Sequence, residues 1–367
     1  SFSLTQLVVP ATTKPRRSHG GDGTPVSRDD RAWRAPIEPL KNVGASVPVM
    51  TSLGSAQAAP GEVDTGRLPI GESRDGAAVG LPVAVVNGAR DGPTLYLQAG
   101  SDGDELNGVG VISRVVPQLD PTKLAGTLLV VGVANYHAFQ VAEHRNPIDD
   151  TKLNRAYPGD SDGTSSERVA AATFDPATRA DLVLDLHQGS TSRMIEEVRV
   201  RCGSRHRLHD ECLELAKVFG CGYVLDQRGP DGQLARAAPD EGVPTVDPEL
   251  GGSVGWDEQA IRKGVDGVFN VLRYYNLLDE EVATERQTRA NGFEQYGAPA
   301  GGLVDLAVDL GDRVSRGQTL FTVTDVFGSV KAEVTADSSG IFWRTRRLPQ
   351  VATGEYICSV GTDVDTY

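Results

Sequence analysis

The apolar positions of the chain fall into runs of different kinds, and each kind predicts a different element. Short apolar runs at 81–86, 93–99, 127–133 and 181–186 predict strands. Those at 127–133 and 181–186 are continuous enough to be covered on both faces. Apolar positions on one helical face predict helices over 109–119, 165–179, 209–219 and 258–278. In the last of these Val265, Val268, Phe269, Val271 and Leu272 form the stripe. A short helix over 233–238 and strands over 223–225 and 243–250 complete the alternation. Buried strands alternating with helices predict an α/β fold: a mixed sheet flanked by helices.

The pattern changes after Asp279. Residues 280–291 are polar and read as a linker or a peripheral helix. From Ala298 onward only short alternating runs remain, separated by glycine turns, as in Leu303–Val308, Thr319–Val323, Val330–Val334 and Tyr356–Val360. They predict a small C-terminal all-β, barrel-like module. Residues 1–45 carry no sustained period and read as an N-terminal arm or disordered extension. The expected organisation is therefore 1–45, 46–285 and 293–367.

Charge narrows the partners. A net charge of −14 argues against nucleic acid and anionic membrane, both of which require a basic face. A small anionic ligand stays open, because a few local arginines suffice to hold it. The four cysteines have no C-x-x-C spacing and read as reduced, structural thiols. With no run long enough for a membrane span and no signal-peptide pattern, the expected location is the cytoplasm. The expected partners are a small-molecule carboxylate substrate and further copies of the chain.

The chemistry gathers at predicted strand ends. Gly100 to Gly108 separates a strand from a helix and carries Asp102, Asp104 and Glu105. Asp102 and Glu105 are three apart across a helix start, so both can aim at one point. Such a pair suits a divalent cation, because two buried carboxylates otherwise repel one another. The plainer reading is acidic residues favouring a helix N-terminus. His187 follows the buried run ending at Leu186, placed either as a ligand oriented by Asp185 or as a core histidine. Glu249 ends another strand, and a free carboxylate beside such a site can act as a general base. Arg145, Asn154 and Arg155 lie in a polar segment and can form a clamp for a carboxylate.

In order and identity these motifs resemble the succinylglutamate desuccinylase/aspartoacylase family of zinc carboxypeptidase-like hydrolases. That family carries His-Gly-x-Glu, an Asn-Gly, an Arg, Asn-Arg-x-Phe/Tyr-Pro-Gly, Asp-Leu-His and Glu-Leu-Gly-Gly. Here the corresponding residues are Asp102-Gly103-Asp104-Glu105, Asn107-Gly108, Arg145, Asn154-Arg155-Ala156-Tyr157-Pro158-Gly159, Asp185-Leu186-His187 and Glu249-Leu250-Gly251-Gly252. The C-terminal module resembles that of the N-acetyl-diaminobutyrate deacetylase-like branch and, more distantly, a biotinyl/lipoyl-like barrel. Lys331 lies in an alternating run rather than at an acidic hairpin tip, so it is not expected to be modified. The module is expected to narrow the mouth of the site or to mediate assembly.

The resemblance implies a carboxypeptidase-like fold and hydrolysis of an amide in a small N-acyl amino acid. It implies one divalent metal held by Asp102, Glu105 and His187. Glu249 is then the proton carrier, Arg145 the group that polarises the scissile carbonyl, and Asn154 and Arg155 the substrate clamp. One departure stands out: Asp102 replaces the family's first histidine. A second carboxylate removes positive charge from the site and shifts preference from Zn²⁺ towards harder ions such as Mn²⁺ or Fe²⁺. Zinc is still the first expectation. A non-hydrolytic lyase and an inactive binding homologue are the alternatives.

Overall fold

A computed structural model describes residues 49–253, 255–283 and 286–366. The expected N-terminal arm, with His19, lies outside the described residues. The described residues fall in one compact unit.

The chain up to residue 275 gives β1 (Thr51–Leu53), β2 (Ala56–Ala58), β3 (Glu62–Glu72), β4 (Ala78–Asn87), β5 (Arg90–Ala99), α1 (Asn107–Val115), β6 (Ala125–Val131), α2 (Tyr136–Val141), α3 (Ser165–Thr178), β7 (Leu182–Gly189), β8 (Ser192–Met194), β9 (Glu197–Val200), α4 (His209–Phe219), β10 (Tyr223–Asp226), α5 (Leu234–Ala237), β11 (Thr245–Gly252) and α6 (Glu258–Tyr274). The remainder is strand: β12 (Thr288–Gly297), β13 (Gly302–Leu306), β14 (Arg313–Val314), β15 (Thr319–Thr324), β16 (Val330–Thr335), β17 (Gly340–Arg346), β18 (Gln350–Val351) and β19 (Tyr356–Thr366).

Helix ends follow the local sequence. Thr164 and Glu167 form a capping box at α3. The Asp257 side chain accepts from the first backbone amides of α6, and Gly220, at φ 82°, ends α4. In α6, Val268, Val271 and Leu272 are fully buried, and Val265 and Phe269 pack beside them.

Among the described residues, thirteen strands form one mixed sheet, in the order β14-β17-β19-β12-β10-β9-β11-β7-β5-β6-β4-β3, with β8 beside β17. Its centre is parallel: β6, β5, β7 and β11 run side by side in one direction. Helices α1, α4 and α6 cover one face of this centre, and α3 lies with the apolar cluster of the other. Being sandwiched explains why β6 and β7 are buried along their whole length.

The C-terminal strands continue that sheet. β12 pairs in parallel with β10 and antiparallel with β19, and β19 pairs with β17. Strands β16-β15-β13-β18 form a second, four-stranded antiparallel sheet. Residues 288–291, expected in a linker or helix, are strand instead. Their polarity hides this, but pairing on both sides satisfies the backbone of β12 whatever its side chains. Lys331 lies in β16 and donates to the Gly301 carbonyl at 2.6 Å. All four cysteines are buried and free. Among the described residues no helix is long and apolar enough to cross a membrane.

Candidate functional site

β5, β7 and β11 end at the same edge of the sheet, where ligand sites of open α/β sheets form. Three pieces of sequence meet there. After β5 the chain turns through Gly100, at φ 66°, into the acidic loop. The Glu105 amide donates to the Asp102 carbonyl at 3.1 Å, so both carboxylates face one pocket. Gly103 permits the turn. A Cβ there would lie 2.2 Å from the Ala138 carbonyl carbon in α2, which no side chain can accommodate. Asn107 fastens the loop: its side chain donates to the Leu250 carbonyl and accepts from the Asp257 amide.

His187 is fixed from both sides. Its Nδ1 lies 2.9 Å from Glu105 Oε2 and 3.7 Å from Asp102 Oδ2. Its Nε2 lies 3.1 Å from Asp185 Oδ2 and 3.2 Å from the Asn154 amide nitrogen. Asp185 is itself held by Gln98 and Ser101, so the imidazole turns Nδ1 to the pocket. The parallel register sets Glu249 of β11 directly beside His187 of β7. Glu249 Oε1 pairs with Arg199, while Oε2 is buried without a hydrogen-bond partner.

The electrostatics are those of an acidic cluster that asks for positive charge. Burial, aided by Asp102, pushes Glu105 up to about 7. Burial opposes charge on His187, but the surrounding carboxylates, Asp185 first, outweigh it and raise its pKa well above the ordinary range. Burial would also raise Glu249, yet Arg199 and His187 carry it below its usual value. Glu249 is therefore ionised at neutral pH and can take up a proton. Asp102 is 1% exposed and neither of its carboxylate oxygens has a hydrogen-bond partner, although Lys152 Nζ stands 3.2 Å from Oδ2. Lys152 offsets one charge of the buried Asp102–Glu105 pair, and carboxylate oxygens buried without hydrogen bonds stay costly unless further positive charge completes them. Two carboxylates and one imidazole with donor atoms within 4.8 Å of one another are a donor set that fits a divalent metal.

These groups line a cavity of about 330 Å³, the size of a small-molecule site. The structure brings Asp102, Glu105, His187, Asn154, Arg155 and Glu249 together on its wall. Asn154 turns its amide to His187 and to the Leu234 backbone, and Arg155 stands at the exposed mouth. Arg145 is not brought in. It is exposed, and its guanidinium donates to the Asp150 carbonyl at 2.8 Å. Sequence proximity to Asn154 and Arg155 placed it in the same segment but could not fix its direction.

Four further cations line the wall: Lys152, from the same polar segment as Asn154 and Arg155, and Arg199, Arg201 and Arg344, which no motif pointed to. The alternation Glu197-Val198-Arg199-Val200-Arg201 was a usable signal, since it sets the charged residues on one face of a strand. Arg344 had no such signal, because it comes from β17 of the C-terminal strands and reaches the pocket through the pairing of β17 with β8. His144, from the loop after α2, also lines the cavity.

A mixed α/β sheet with an acidic turn, an imidazole and an ionised carboxylate at one edge defines the class: a fold that carries a polar, small-molecule-sized pocket at the ends of its parallel strands. Residues 91–275 match the succinylglutamate desuccinylase/aspartoacylase catalytic domain, and the chain belongs to that family. It is 29% identical over 322 residues to the N-alpha-acetyl-L-2,4-diaminobutyric acid deacetylase of Halomonas elongata, covering 82% of this chain and 91% of that one. The product-bound ectoine utilization protein EutE (DoeB) of Ruegeria pomeroyi superposes with a TM-score of 0.76 at 25% identity, over 85% of this chain and 99% of that one. A succinylglutamatedesuccinylase/aspartoacylase from Rhodobacter sphaeroides has the same fold, with a TM-score of 0.76 at 23% identity, over 86% and 99%.

Proposed function

We propose that this protein is a metal-dependent amidohydrolase that removes the acyl group from a small, carboxylate-bearing N-acyl amino acid. Family membership and the deacetylase relative support the reaction class. The observation that carries the metal dependence is the buried Asp102 carboxylate, which makes no hydrogen bond and faces Glu105 and His187, with Glu249 alongside.

Asp102, Glu105 and His187 would hold the cation, for which zinc is the first candidate and Mn²⁺ or Fe²⁺ the harder alternatives. When bound, it would supply Lewis acidity to the scissile carbonyl and acidify the attacking water. The rest is done by the chain. Asp185 and Asn154 hold the His187 ring in place from behind. Arg199 anchors one oxygen of Glu249, leaving Oε2 to accept the proton of the attacking water. Glu249 then passes that proton to the leaving amine nitrogen, so amide plus water becomes acid plus amine with nothing left over. The role first assigned to Arg145 passes to cations that do line the cavity: Lys152, Arg155 and Arg344. Charges of this kind hold the substrate carboxylate and the developing oxyanion.

The test is turnover of a panel of N-acetyl amino acids, N-alpha-acetyl-2,4-diaminobutyrate among them, by the full chain in heavy-oxygen water. Release of free amine with label in the acid product is expected. An unsaturated product without label would identify a lyase and overturn the hydrolytic reading.

A further inference from the structure

The acidic turn faces two imidazoles. His187 closes it on the β7 side and His144 on the side of the loop after α2. Glu105 divides its oxygens between them: Oε2 lies 2.9 Å from His187 Nδ1, and Oε1 lies 3.9 Å from His144 Nδ1. Asp102 does the same, with Oδ2 3.7 Å from His187 Nδ1 and Oδ1 3.8 Å from His144 Nε2. Asp104 belongs to the second side: its Oδ1 lies 3.0 Å from His144 Nδ1, and its Oδ2 accepts from Ser190 Oγ at 2.6 Å. Two trios result, Asp102–Glu105–His187 and Asp104–Glu105–His144, each with donor atoms within 4.8 Å of one another. They share Glu105.

We infer that the pocket holds two divalent cations side by side, the second at Asp104, Glu105 and His144, with the Glu105 carboxylate bridging the pair. The inference rests on the reading that the first trio holds a cation. An ordinary His144–Asp104 ion pair accounts for one carboxylate only. It leaves Asp102 Oδ1 buried, directed at His144 and without a hydrogen-bond partner. A second ion held by Asp104, Glu105 and His144 would bring positive charge next to that oxygen, which the ion pair does not. Carboxylate-rich, single-imidazole trios suit Mn²⁺, Fe²⁺ or Zn²⁺, and paired ions clamp both oxygens of a displacement at an acyl centre.

The test is a titration of the chelator-stripped full chain with Mn²⁺ alone, with free and bound ion followed by electron paramagnetic resonance. Wild type is expected to bind two equivalents and to give a spin-coupled spectrum. His144→Asn and Asp104→Asn, made separately, are each expected to bind one equivalent with an uncoupled spectrum. His144 lies on a partly exposed loop, so its replacement leaves the fold intact, as circular dichroism would verify. One equivalent in wild type, two in either variant, or an uncoupled spectrum at two equivalents would overturn the second centre. The failures are distinguishable. A single equivalent lost in His187→Ala but kept in His144→Asn removes the second centre and leaves the first. No binding at all removes both.

Discussion

The strand ends of the α/β part and the C-terminal strands bury different things. At the ends of β5, β7 and β11 the interior is polar: Gln98, Ser101, Asp102, Glu105, Asp185, His187 and Glu249 are all buried. In the C-terminal strands the interior is apolar, built around Phe321, Phe342, Ile357 and Val360. Apolar burial stabilises, at about 1.5–3 kcal/mol for a large side chain. Buried charge costs desolvation and persists where chemistry uses it. The C-terminal strands add an apolar core of their own, whereas the sheet edge spends on a pocket part of the stability that the apolar clusters beneath it supply. The division is not complete, because β17 reaches across it. Trp343 donates to Glu197, Glu197 pairs with Arg199, and Arg199 holds Glu249.

Substitutions can break this contrast, and the largest effect is expected at the base. Glu249→Gln keeps the shape of the site but cannot carry the proton. Turnover should fall by roughly 10²–10⁴-fold with metal content unchanged. Substantial residual activity would remove Glu249 from the mechanism. Phe321→Ala tests the opposite region. It should cost about 3–5 kcal/mol in denaturant unfolding, while the molecules that remain folded keep their turnover. Loss of turnover in the folded fraction would mean the two regions are not separable.

Two smaller effects sharpen the picture of the pocket wall. Arg155 stands at the exposed mouth, where solvent screens it, so Arg155→Ala should raise KM about tenfold with little change in kcat. An uncharged amide turned over as well as the carboxylate substrate would contradict the clamp. Arg145 lies off the wall, so Arg145→Ala should change kcat/KM by no more than about twofold. A collapse of kcat instead would show that the 143–152 loop rearranges to bring the guanidinium to the substrate.

The same contrast explains what was legible in the sequence. Asp102 follows β5, and His187 and Glu249 stand in the last residues of β7 and β11, so the pattern that predicted each strand also located its polar end. The helix over 209–219 is found where its apolar face and Gly220 put it. β12 was not legible, because a polar strand stabilised by pairing on both sides has no hydrophobic period to read. Arg344 was not legible either. It comes to the pocket through a long-range pairing of β17 with β8, and nothing local in the sequence records that contact. For Arg145 the loop's sequence named the residue type and left its direction unset.

The central claim is that a cation completes the buried carboxylates at Asp102 and Glu105. The most direct test is elemental analysis of the purified full chain beside its deacylase activity, before and after chelation. Bound divalent metal is expected, with activity lost on its removal and restored by adding Zn²⁺, Mn²⁺ or Fe²⁺, and with neither metal nor activity kept in Asp102→Ala. Full turnover by a metal-free protein would contradict the account.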